Sequence, residues 1–263
     1  MPRLSEVSYS RDATVAAVRD YFQFLAKVFV NDSDVLEPPQ GGWPDIAPDH
    51  LKALGKTDEV IMLLRHLPYL RSTVDSSNSV EAGPSECRFF NWLENIRLLG
   101  SRVVDFESLI VMSEDSYYME QIPPHVVGLV SSRHEAFLLD TELGVVYWID
   151  CLNEIKANPS REPIQDDSYD YAPEEEAEWR AQPAWAIADF FELLKDQFRQ
   201  QCFVPISSCK VYDTYAGTLA EGLLPVVQAI YREHGWPDLE RYRKQECLEA
   251  VRVMMEERFP DEC

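Results

Sequence analysis

Histidine is the side chain that most readily moves a proton near pH 7 or holds a metal, and this chain has five: His50, His66, His125, His134 and His234. His66 lies in Arg65-His66-Leu67-Pro68, at the end of an apolar helical pattern. It reads either as a general base or as a hydrogen-bonded histidine at the edge of the core. His125 opens a strand-like run behind Ile122-Pro123-Pro124. There it either lines a pocket at the end of a sheet or caps a local carbonyl. Proton transfer needs such a base within reach of substrate, in a site with convergent polar groups and apolar walls. His66, His125 and Asp140, walled by Trp92 and Trp148, are therefore the candidate pocket of an enzyme, a small-molecule isomerase or hydrolase of a biosynthetic pathway.

Most other chemistries lack their motifs. There is no H-E-x-x-H, no G-x-S-x-G, no G-x-G-x-x-G and no P-loop among only ten glycines. Six cysteines are scattered without a C-x-x-C pair or zinc-ligand spacing, which fits reduced thiols in a cytoplasmic protein. No metal and no cofactor is expected, and no family of catalytic residues stands out. A formal net charge of −22 repels phosphate backbones and favours a basic protein partner, so nucleic acid is not expected. Met1-Pro2-Arg3-Leu4-Ser5-Glu6 carries no apolar leader, and no run is long and apolar enough for a membrane helix, so no membrane association is expected.

A second candidate site is a surface rather than a pocket. Asp166, Asp167, Asp170, Glu174, Glu175 and Glu176 crowd one acidic insertion, 158–180, with Tyr169 and Tyr171 between them. It lacks the spacing of a calcium loop. It reads as a solvated surface excursion and a candidate docking surface.

The elements that must position these residues follow from periodicity. Val15, Val18, Phe22, Leu25 and Phe29 recur at three- and four-residue steps, which predicts a helix after Ser10. Asp58 to Leu67 predicts a second, with Thr57 as N-cap and Pro68 as its stop. Residues 72–85, rich in serine, predict an exposed mobile loop. Phe89, Phe90, Trp92 and Leu93, and the runs at 103–106 and 109–112, are apolar without a decisive period.

Three β-rich runs follow: 125–130, 136–140 and 144–149. Their connections are of hairpin length, so the strands must be antiparallel. Ile187, Phe190, Phe191, Leu194 and Phe198 form the clearest helical stripe. A helical annex, 215–263, closes the chain, with Leu239, Tyr242, Ala250, Val251 and Met254 turned inward. Gly-Trp-Pro-Asp occurs twice, at 42–45 and 235–238, and predicts a chain reversal with the tryptophan packed over it. Together these predict one α+β domain, 1–263, with a small antiparallel sheet backed by helices and a helical C-terminal extension.

The middle of the chain resembles a known family. Phe137-Leu138-Leu139-Asp140-Thr141, then Gly144-Val145-Val146-Tyr147-Trp148, then Ala186-Ile187-Ala188-Asp189-Phe190-Phe191-Glu192-Leu193-Leu194 follow the order seen in SMI1/KNR4 proteins, the SUKH superfamily. Gly42-Trp43-Pro44 and Leu63-Leu64-Arg65-His66-Leu67-Pro68-Tyr69 resemble filamentous-fungal proteins of unassigned role. The resemblance covers about a third of the chain. It implies an α+β fold and non-catalytic protein binding, as in toxin immunity or cell-wall signalling, and it brings no catalytic residue. The long acidic insertion and the helical tail depart from compact members. Three functions thus compete: an interaction or regulatory module, an enzyme using the His/Asp/aromatic pocket, and a structural subunit.

Overall fold

The computed structural model of the protein describes residues 2–47, 53–72, 79–114, 117–131, 135–157, 159–215 and 220–262. Small antiparallel sheets pack against helices, with 45% helix and 13% strand. The principal sheet has four strands in the order β4 (Val126–Gly128), β6 (Ala136–Asp140), β7 (Val145–Ile149) and β8 (Ala184–Ala186). Three two-stranded pieces surround it. They are β1 (Val35–Leu36) with β2 (Tyr69–Leu70), β3 (Arg88–Phe89) with β5 (Val130–Ser131), and β9 (Phe203–Pro205) with β10 (Val211–Asp213).

The register places Asp140 opposite both Val126 and Val145. Because side chains alternate across a strand, Phe137, Leu139, Val146 and Trp148 share one face, and Ala136, Leu138, Asp140, Val145 and Tyr147 share the other. Nearly every residue of β6 and β7 is apolar, the pattern of strands covered on both sides.

Helix Ile187–Arg199 covers the first face, and helix Arg11–Val28 packs against that helix and against Phe89. Ser10 caps helix Arg11–Val28, its Oγ accepting from the Ala13 amide at 3.4 Å. Phe190 lies edge-on to Phe137 at 4.9 Å, and Phe191 meets Tyr21 at 5.5 Å. The expected helix-on-sheet contact is therefore present. Of the ambiguous apolar stretches, Phe89 is in β3, Trp92 and Leu93 open the helix Trp92–Gly100, capped by Asn91, and 109–112 lies in the helix Phe106–Ser113, capped by Asp105, with 103–105 ahead of it. Gly128 lets β4 run directly against the end of the Phe106–Ser113 helix: a Cβ there would stand 1.6 Å from the Ser113 carbonyl oxygen.

The second face corrects one expectation. The acidic insertion is not a surface excursion. Trp179 is fully buried and meets Tyr147 at 5.0 Å, joining Val126, Leu138 and Val145 in a separate apolar cluster. Ile164 packs against that cluster, and its amide donates to the Ala184 carbonyl at 2.8 Å, closing the edge of β8. The acids stay outside because apolar residues are interleaved among them: Asp167, Asp170, Glu174, Glu175 and Glu178 are exposed while Ser168, Ala177 and Trp179 are buried. Residue 158 lies outside the described residues.

The expected loop at 72–85 also changes. Ser79 to Pro84 are buried, and Glu81 ties two sheets together. It accepts from the Val211 amide at 2.9 Å and from Arg88 Nη2 at 3.3 Å. The polar composition that suggested exposure belongs to residues 73–78, which lie outside the described residues.

The C-terminal annex holds helices Leu223–Glu233 and Lys244–Arg258. Lys244 Nζ donates to the carbonyls of Ala26 and Val30 at 2.7 and 2.6 Å, capping the end of the first helix. The last helix starts at Lys244; residues 238–241 ahead of it form a turn, and Leu239, expected inward, is 40% exposed. The two Gly-Trp-Pro-Asp copies do the same job. Trp43 Nε1 donates to the Leu67 carbonyl at 2.8 Å and Trp236 Nε1 to the Phe198 carbonyl at 3.2 Å, each at the C-terminal end of a helix. The five described cysteines, Cys87, Cys151, Cys202, Cys209 and Cys247, are free thiols. Among the described residues no helix is long and apolar enough to cross a membrane.

Candidate functional site

The residues proposed as an enzyme pocket do not converge. Trp148 points to the first face of the sheet and Asp140 to the second, so the register itself keeps them apart. Trp92 is buried elsewhere, its Nε1 donating to the Gly128 carbonyl at 3.1 Å. His66 ends its helix with Nδ1 at 2.7 Å from the Met62 carbonyl oxygen. Only His125 and Asp140 meet, with Nε2 to Oδ2 at 3.7 Å.

Around that pair the second face carries a buried polar network that the sequence did not announce. Arg180 is its hub. Nη1 donates to Asp140 Oδ2 at 2.8 Å and to the Tyr147 hydroxyl at 3.0 Å, and Nε donates to Glu176 Oε2 at 2.7 Å. Nη2 lies 3.4 Å from His125 Nε2. The guanidinium also stacks 4.3 Å from the Trp179 ring. Asp140, fully buried, accepts from the Glu142 and Leu143 amides at 2.8 Å each through its other oxygen, Oδ1. A buried charge is tolerated when it is paired and hydrogen-bonded, and Asp140 has an ion pair and three donors.

The imidazole faces the same network. A guanidinium can only donate, so His125 Nε2 accepts and Nδ1 carries the hydrogen, facing Glu142 Oε1 at 3.5 Å. His125 thus meets the network through Nε2, with Nδ1 near an exposed carboxylate. Its backbone carbonyl accepts from the Thr141 amide and hydroxyl at 3.0 and 2.8 Å.

Next to Arg180 is a cavity of about 240 Å³ between the sheet and the insertion. The Tyr147 and Tyr171 hydroxyls, 2.9 Å apart, line it, together with Asp166, Asp167, Ile164 and Pro183. Burial raises the pKa of both phenols, outweighing the opposing pull of Arg180, so both stay neutral.

The acidic residues divide by role. Asp166 accepts from the Leu4 amide at 2.8 Å and faces Arg3 at 3.6 Å. Asp167 caps the short helix Ser168–Tyr171, and Glu176 pairs with Arg180. Asp170, Glu174 and Glu175 point into solvent. Among the described residues no group of three or more His, Cys, Asp or Glu is arranged to hold a metal ion.

Sequence reasoning missed Arg180, Tyr147 and Tyr171. One signal was present: Arg180 is the sole basic residue between Arg161 and Lys195, next to a tryptophan at the end of an acidic run. Comparison of the chain with models of protein families, with curated proteins and with solved structures gives no match.

Proposed function

We propose that the protein is a non-catalytic protein-interaction or regulatory module that works in the cytoplasm and takes a basic partner through its acidic segment. One observation carries this reading. Asp170, Glu174 and Glu175 are exposed on a segment pinned to the sheet by buried Trp179 and Arg180. Exposed charges on an anchored backbone are already oriented, which lowers the ordering cost of docking. The net charge of −22 steers a basic protein toward such a face and repels nucleic acid. The resemblance to SMI1/KNR4 proteins points to the same class of function.

The test is capture from extracts of the native host by wild-type protein and by Asp170→Asn/Glu174→Gln/Glu175→Gln. The substituted protein should keep its fold and lose partner mainly through association rate, and the difference should shrink as salt rises, because exposed charges are screened over about 8–10 Å. Equal capture by both proteins at low salt would remove the acidic face from the function.

A second reading, the small-molecule enzyme, has one observation in its favour. A cleft of about 270 Å³ is walled by Leu70, Phe89, Phe90 and Leu98, with Asn91 and Asn95 in its lining. Neither His66 nor His125 lines it. Loss of a metabolite in a folded Asn95→Ala protein, with partner capture unchanged, would favour this reading over the first.

A further inference from the structure

We propose that the cavity beside Arg180 receives one cationic side chain, lysine or arginine, of that basic partner; this rests on the interaction reading above and gives it a specific contact. Size is the first argument. Ligand sites for drug-sized molecules run from roughly 300 Å³ upward, and about 240 Å³ suits a single long side chain. Ile164 and Pro183 offer apolar wall for its methylene stem, and carboxylates stand at the same cavity for its head.

Charge is the second argument. Asp140 and Glu176 already neutralise Arg180. Of the remaining two acids, Asp166 faces Arg3 only at 3.6 Å, and Asp167 uses only Oδ1, to accept from the Tyr169 amide at 3.1 Å. Asp140, Glu176 and Asp166 thus pair with two guanidinium groups, and Asp167 adds a fourth carboxylate, with no ion pair among the described residues, to the cavity lining, so the site attracts a cation and repels an anion.

The third argument is independent of the acids. Tyr147, 1% exposed, accepts from Arg180 and shares one hydrogen with Tyr171. Whichever phenol donates, the Tyr171 oxygen keeps at least one lone pair without a donor among the described residues. An ammonium or guanidinium N–H supplies that donor.

The experiment is an amide NMR titration of the whole protein with N-acetyl-lysine methylamide, N-acetyl-arginine methylamide and the uncharged N-acetyl-norleucine methylamide, each to about 0.1 M. The two cations should shift amides at 166–171 and 180–184, and norleucine should not. Asp167→Asn keeps the helix cap, since asparagine caps as well as aspartate, and should weaken binding about tenfold, as should Tyr171→Phe. Equal shifts with norleucine, shifts confined to 170 and 174–175, or no shift at all would overturn the inference. Partner capture that falls with the Asp170/Glu174/Glu175 substitutions but not with Asp167→Asn or Tyr171→Phe would overturn it while leaving the interaction module standing. Cation binding in the cavity without a captured partner would separate the two in the other direction.

Discussion

Asp140 accepts from the Glu142 and Leu143 turn amides and from Arg180, so its removal leaves those amides without their acceptor and Arg180 with Glu176 as its one remaining carboxylate partner. Asp140→Ala should cost about 3–5 kcal/mol in denaturant melts, the scale for breaking a buried ion pair from one side. His125→Ala, which removes a brace at 3.4 Å or more, should cost no more than about 1 kcal/mol. Glu81 offers a test by pH. Burial holds its carboxyl above the usual value of 4.5, against the pull of the Val211 amide and Arg88. The folded state therefore binds this proton more tightly than the unfolded chain. The stabilising contribution is complete below about pH 4.5 and is lost as pH rises through the raised value. Stability measured at stepped pH should fall less steeply above pH 4.5 in Glu81→Gln than in wild type; an unchanged slope would assign the pH dependence to other carboxylates.

At the scale of elements, the fold was legible wherever a period was. The stripes at 15–29, 58–67 and 187–198 each became a helix, and the three β-rich runs became antiparallel strands in the expected order, the first dividing after Gly128 so that Val130 pairs with β3 instead. The helices at 92–100 and 106–113 were not legible, because short apolar runs carry no face that distinguishes helix from strand. Burial of the insertion was hidden for a different reason: single residues, Trp179 and Ile164, anchor a run whose average is acidic. Three substitutions measure these assignments. Phe191→Ala should cost about 3–5 kcal/mol, whereas Glu175→Ala should change stability by no more than about 0.5 kcal/mol. Gly128→Ala should cost about 3 kcal/mol or more, because backbone of the Phe106–Ser113 helix occupies the space a methyl needs. A wild-type melting curve for Gly128→Ala would mean that this helix gives way freely.

Taken whole, the four-stranded sheet lies between the helix Ile187–Arg199 on one side, itself backed by the helix Arg11–Val28, and its own acidic segment on the other. The candidate site lies on the second side, and this is why it was only half legible. His125 and Asp140 were found from strand ends, but their partners come from a segment more than 25 residues away that only tertiary packing brings across the sheet. The same architecture sets the response to salt. With 46 acidic and 24 basic side chains, self-repulsion opposes the compact state. Raising ionic strength from about 0.01 to 0.15 M should therefore raise the melting temperature. A fall would mean that ion pairs such as those of Arg199 with Glu192 and Asp196 outweigh the net repulsion.

The covering segment has a further consequence for cutting and rejoining the chain. Its exposed tip, Glu174-Glu175, lies between two independent moorings, Ile164 on the edge of β8 and Trp179 against Tyr147. A peptide bond broken at that tip leaves each half still seated on the same sheet. Fragments 1–174 and 175–263 should therefore reassemble when mixed, since β8 belongs to the second and β4, β6 and β7 to the first.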